Sequence, residues 1–131
     1  MALLLLLLLI LVPIAAWFWA RRYRPFYLWR ITGAAFGAIV GPFCLGLYAT
    51  FFASPLGLVT GLIGLTAGLV HGAPGYEIAT SVGLIEGGKV VEGIDHLWIS
   101  GANAIVWGAV YGALGWFVDR LRIRRNSNAS A

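Results

Sequence analysis

The side chains best suited to metal binding or acid–base work lie close together in sequence: His71, Glu77, Glu86, Glu92, Asp95 and His96. Imidazole combined with carboxylate suits zinc or iron. Such a site needs donors spaced so that they turn to one point, and no H-E-x-x-H or similar pattern is present. The two histidines stand 25 residues apart, with no covalent haem motif. We read the set as solvated loop residues near lipid headgroups and expect no metal and no cofactor. Cys44 is the single cysteine, so it closes no internal disulfide and completes no thiolate set. The sequence holds no G-x-S-x-G, no phosphate-binding loop and no dinucleotide fingerprint. Catalytic residues are therefore not expected, and the chain does not read as an enzyme.

Polar side chains inside apolar stretches are functional candidates wherever the stretch crosses a bilayer. Here they are few. Arg30 lies near an interface and can snorkel. His71 falls near the end of one apolar segment, and Ser100 and Asn103 near the start of another. Asn103 is expected to bond to a neighbouring helix or to cap a turn. Thr50, Thr60 and Thr66 are expected to bond to their own backbone carbonyls. These residues form no proton relay or ion pathway.

The elements that must position them follow from composition. Of 131 residues, 60% are hydrophobic and 11% charged, against about 25% charged in ordinary soluble domains. A water-soluble globule is excluded on that ground, and the length fits a single membrane domain, 1–131. Runs 2–20 and 97–118 contain no charged residue, and each matches the roughly 20 apolar residues one crossing needs. The run 31–76 is uncharged if His71 is neutral, and its 46 residues would make a helix of about 69 Å. It must therefore turn, and Ala53-Ser54-Pro55 is the best place. The expected segments are 2–20, 31–52, 55–71 and 97–118, with a polar loop over 72–96 and a basic, frayed tail over 119–131. The leucine-rich first run has no preceding basic residue and is followed directly by Arg21, Arg22 and Arg24, so it reads as a retained helix. Within the loop, Gly87-Gly88 suits a hairpin turn. A short interfacial helix over Glu77 to Glu86 competes with it.

Eight of the nine basic residues form two clusters: Arg21, Arg22, Arg24 and Arg30, then Arg120, Arg122, Arg124 and Arg125. Short basic loops stay in the cytoplasm, so both clusters act as topology anchors and an even number of crossings separates them. Four full crossings violate that count. A re-entrant third segment, returning through His71-Gly72-Ala73-Pro74-Gly75, satisfies it and leaves only Lys89 outside. We expect N-out, C-in, with the plain four-span bundle as the alternative. Trp98 and Trp116, about 27 Å apart along a helix, suit the two interfacial belts.

Three segments carry glycines on one face. They are Gly33, Gly37 and Gly41; Gly57, Gly61, Gly64, Gly68 and Gly72; and Gly101, Gly108, Gly112 and Gly115. At 100° per residue the last two sets fall within arcs of about 80° and about 60°. Such faces let helix backbones approach closely in lipid. The fold class is therefore an all-α integral membrane protein, a small bundle of three to four transmembrane helices with glycine-rich packing faces.

The expected function is that of a non-catalytic accessory or assembly subunit, packing against itself or a larger membrane complex. The alternative is a small oligomeric channel, transporter-like or holin-like permeation protein. Expected partners are the bilayer with its anionic headgroups, not nucleic acid, since the basic clusters sit at membrane edges. Composition points to a bacterial inner membrane.

Overall fold

A computed structural model describes residues 2–49, 57–88, 91 and 93–129. Of these, 89% are helical, and no strand forms among the described residues. The helices are α1 (Ala2–Tyr23), α2 (Leu28–Ala49), α3 (Gly57–His71), α4 (Ala73–Ser81) and α5 (Asp95–Ala129), with a 3₁₀ turn at Pro25–Tyr27. The turn expected at Ala53-Ser54-Pro55 lies outside the described residues, as do Thr50, Lys89 and Glu92.

Local chemistry sets the boundaries. Leucine is a strong helix former, and α1 continues through Pro13. It stops at Tyr23 because a residue before proline is pushed out of the α region. Arg24 accordingly has φ −140° and ψ 56°, and Pro25 opens the 3₁₀ turn. The break between α3 and α4 has a similar origin. Pro74 has no N–H to offer the Val70 carbonyl and Gly72, a weak helix former, lies just before it, so the ladder breaks there, whereas α1 and α2 run through Pro13 and Pro42. At the far end of α4, Gly83 takes φ +74°, the left-handed conformation that closes a helix.

The hairpin expected around Gly87-Gly88 would continue into residues 89 and 90, which lie outside the described residues. Gly88 turns, with φ +81°, and the described residues 82–87 before it form no strand. The helix there covers Ala73–Ser81 instead of 77–86. Gly88 donates its N–H to the Tyr76 hydroxyl at 3.1 Å, which ties the loop back onto α4.

Helices α2 and α5 pack together most extensively and run antiparallel. Their register can be read from pairs of facing residues: Trp29 with Gly115, Gly33 with Tyr111, Gly37 with Trp107, and Gly41 with Asn103. Both rows advance by four residues, so each helix presents one continuous ridge to the other. Helices α1 and α3 pack on α2, and α4 packs on α5.

Three helices are long and apolar enough to cross a membrane, within Leu6–Tyr23, Pro25–Leu47 and Asp95–Ser127; Leu62–His71 is a shorter apolar helix. Large apolar side chains are exposed along α1, α3 and α5, among them Leu4, Phe18, Leu69, Ile105 and Phe117. The buried apolar cluster is small: Ala79, Ile85 and Ile99, flanked by Leu45, Tyr76 and Val91. This inside-out distribution matches an apolar solvent better than water.

The last helix departs from expectation. It has 35 residues, about 52 Å, and does not stop at Val118. The 119–129 stretch is helical, not frayed, because it is tied down. Asp119 bonds to the first turn of α2 and Arg122 to Pro25 in the α1–α2 turn, and no proline or glycine interrupts the helix there.

Candidate functional site

The ridge of α5 that faces α2 also carries the buried polar chemistry. Asn103, Trp107 and Tyr111 follow one another at four-residue spacing, so they stack on one face. All three bond to the junction between α3 and α4. Asn103 is fully buried, with 0% exposure. Its amide bonds in both senses, accepting from the Gly75 N–H at 2.7 Å and donating to the Gly72 carbonyl at 3.0 Å. Trp107 Nε1 donates to the His71 carbonyl at 3.0 Å.

These bonds satisfy the backbone groups that a helix break exposes. Gly75 lies in the first turn of α4, where an N–H has no partner within the helix. The His71 carbonyl lies at the end of α3, where the deficit is in donors, and the Gly72 carbonyl, which also accepts the Tyr76 N–H at 3.4 Å, takes the Asn103 amide as a second donor. Side chains of α5 therefore cap both helices at once. Asn103 performs the bond it was expected to make. Trp107 and Tyr111 did not stand out in the sequence, although their spacing from Asn103 was the available signal.

The His71 ring completes the junction. Nδ1 lies 3.3 Å from the Ala67 carbonyl and Nε2 lies 3.1 Å from the Tyr111 hydroxyl. A carbonyl only accepts, so the network assigns the proton of the neutral ring to Nδ1. Nε2 then accepts from Tyr111. The ring stacks nearly parallel to Tyr111, and its centroid is 4.4 Å from that of Trp107. His71 therefore has a partner at each nitrogen. His96, Glu77 and Glu86 are exposed elsewhere. No three of the histidine, cysteine, aspartate and glutamate side chains gather into a metal-binding group among the described residues.

The junction sits partway along the α2–α5 pair. A Cβ at Gly41 would lie 2.8 Å from Asn103 Cβ and 3.3 Å from the His71 carbonyl oxygen. At Gly75, a Cβ would overlap Asn103 and the Ile99 carbonyl. Beyond Gly75, α4 runs back toward the start of α5, bringing Ala79 against Ile99. The chain thus leaves α2 at Ala49, returns to the level of Gly41 at His71, and withdraws along α5.

A second polar cluster lies at the other end of α5. Asp119 is 3% exposed. Its two carboxylate oxygens accept the Trp29 and Arg30 N–H groups at 3.2 Å and 3.0 Å. These are first-turn donors of α2, so Asp119 caps that helix across ninety positions of sequence and meets the positive end of its dipole. Arg122 donates to the Pro25 carbonyl at 2.7 Å. The two arginine clusters, around 21–30 and 120–125, thereby meet at one end of the bundle.

The glycines occupy distinct settings. A Cβ at Gly33, Gly37 or Gly115 would run into the carbonyl of Tyr111, Trp107 or Trp29 respectively. Gly112 would meet Ala34 at 3.3 Å, and Gly108 would make ordinary contact with Ala34 and Ala38. Gly64 is buried. Gly68 and Gly101 have nothing within 4 Å of a Cβ. Gly57 and Gly61 belong to α3.

The architecture is that of a helical chain with three helices able to span a membrane, closed by caps from its longest helix. No protein-family model matches the chain, and neither a curated protein nor a solved structure matches it.

Proposed function

We propose that this chain is a small non-catalytic membrane subunit that crosses the bilayer with α1, α2 and α5 and packs through its glycine faces, against itself or within a larger membrane complex. The α3–α4 pair enters the bilayer and leaves on the same side. Both arginine clusters then face the cytoplasm and the 72–96 loop faces outward.

One observation carries this reading. The buried polar side chains, Asn103 and Asp119, both close helix ends, and no buried side-chain polar atom lacks a partner among the described residues. The interior polarity thus serves to hold backbone in place. Non-helical backbone at membrane depth needs protein around it, and the α3–α4 junction has α2 on one side and α5 on the other. The spanning part of α1 is only 6% buried, which leaves most of that helix for lipid or a partner helix.

Two measurements test the proposal. On a Cys44→Ser background, single cysteines replace His96 and Ser127, exposed residues near opposite ends of α5. In intact cells His96→Cys should react with an impermeant maleimide and Ser127→Cys should not. The reverse pattern overturns the orientation, and labelling of both overturns the crossing by α5. Purified in mild detergent, the chain should migrate as an assembly heavier than its 14.1 kDa monomer with bound detergent. Reconstituted into dye-loaded vesicles, it should cause no leakage. Leakage would replace the subunit reading with a permeation role.

A further inference from the structure

Beside Arg30, a groove of about 480 Å³ opens on the surface between α2 and α5. It is lined by Ala34, Gly108, Ala109, Gly112 and Ala113, and Trp116 stands with Arg30 at one end. That volume falls within the usual range of small-ligand sites. The apolar part follows α5 for eight residues, about 12 Å of helix rise. On the other side of Arg30 is a second hollow of about 270 Å³, lined by Trp19, Arg24 and Tyr27. The Arg120 guanidinium lies over the Trp116 ring, 5.0 Å from its centroid.

The result is an amphipathic cleft, cationic at the end where the arginine clusters meet and apolar below. Asp119 stands beside it, accepting the Trp29 and Arg30 N–H groups, and its single negative charge is outnumbered by Arg24, Arg30 and Arg120. We propose that this cleft holds one anionic phospholipid, a deeper reading that rests on the membrane crossing of α2 and α5. The phosphate lies between Arg24 and Arg30. One acyl chain follows Ala34, Gly108 and Gly112 toward the bilayer centre. Basic pockets between helices on the cytoplasmic side take anionic headgroups in this way.

A second copy of the chain is the competing occupant, and charge argues against it. A two-fold axis along the membrane normal brings the same patch of both copies together. Arg30, Arg24 and Arg120 of one copy would then face those of the other, a like-charge pairing that opposes association. An anionic headgroup complements the same surface.

The test uses the full chain in nanodiscs, with brominated phosphatidylglycerol or brominated phosphatidylcholine as a minor component. Trp116 emission is obtained as the difference between the native chain and Trp116→Phe. Brominated phosphatidylglycerol should quench Trp116 at about one fifth of the mole fraction that phosphatidylcholine requires, the effect of roughly one guanidinium–headgroup contact. Arg24→Gln/Arg30→Gln should abolish that preference. Ala113→Leu, which fills the groove and leaves the arginines in place, should reduce quenching by both lipids. Equal quenching of Trp116 by both lipids, a preference that survives Arg24→Gln/Arg30→Gln, or quenching left unchanged by Ala113→Leu overturns the site. Protection of Trp116 from both lipids, with a cross-linked dimer through Ala109→Cys, assigns the groove to a second copy and also overturns it. The other tryptophans separate this failure from that of the membrane reading. If they are quenched, only the lipid site falls; if no tryptophan is quenched by either lipid, both readings fall.

Discussion

Asn103 and Asp119 perform one task at two places on the same helix. Each projects from the α2-facing ridge of α5 and accepts N–H groups from the first turn of another helix. They stand 16 residues apart, about 24 Å along the axis. The difference is charge. Asp119 sits where the arginine clusters meet and where α2 begins, so a carboxylate finds both a helix dipole and nearby cations. Asn103 sits at the α3–α4 junction, where both a donor and an acceptor are needed and aromatic rings surround the site. A neutral amide supplies both functions, whereas a carboxylate supplies one and adds a charge. The choice of amide or acid thus reports the depth of each cap on the membrane reading.

Exchanging the two chemistries breaks the comparison most sharply. Asn103→Asp, ionised, loses the donor to the Gly72 carbonyl, which keeps the Tyr76 N–H, about 1 kcal/mol for one hydrogen bond. It also places a carboxyl at membrane depth, about 2.5–3.5 kcal/mol. We expect a loss of about 3–5 kcal/mol, read from the unfolding midpoint in mixed detergent micelles by tryptophan emission. A loss below 1 kcal/mol would mean that water reaches the junction.

Gly37→Ala comes next. The added Cβ overlaps the Trp107 carbonyl, and backbone cannot rotate away as a side chain can. Separating α2 from α5 at this point disturbs the registers of both caps. Overpacking of this kind costs about 1–3 kcal/mol, and circular dichroism with the same titration would show it. An unchanged midpoint would mean that α2 and α5 do not hold this register.

The converse exchange, Asp119→Asn, should be milder. The amide keeps one acceptor for the α2 N–H groups and loses the charge that meets the dipole, about 1 kcal/mol at a partly buried helix end. Far-ultraviolet dichroism should show fraying confined to the start of α2 and the end of α5. A loss as large as that of Asn103→Asp would remove the distinction between the two regions.

The three long apolar helices were legible in the sequence as uncharged runs of crossing length. Uncharged runs long enough to cross, and arginines gathered at their ends, follow from the cost of charge in hydrocarbon. Asn103 was legible because a lone amide in an apolar helix needs a partner. The length of α5 was not, because what anchors its last part is a set of bonds from Asp119 and Arg122 to residues 25–30, 89 to 97 positions earlier. The lone acid in a basic stretch was the sign, and Asp119 instead read as the start of a tail. The α2–α5 register was also hidden. Glycine arcs give a face but not what it meets, so Gly37 against the Trp107 carbonyl and Gly101 in open space look alike in sequence. The four-residue row of Asn103, Trp107 and Tyr111 held more information than the glycine row beside it.

Gly101→Ala has the smallest expected effect and separates depth from facing. Gly101 lies two residues from Asn103, at nearly the same depth, but about 160° around the helix. It is exposed, with nothing within 4 Å of a Cβ. Alanine in an open helix interior is favoured over glycine by about 0.5–1 kcal/mol, so the unfolding midpoint should hold or rise. A gain, set against the loss at Gly37, would locate the tight packing on the α2-facing ridge alone. If the isolated chain gains stability while its assembly in native membranes weakens, Gly101 meets a partner helix rather than lipid. The outward face of α5 would then be the docking face of the subunit.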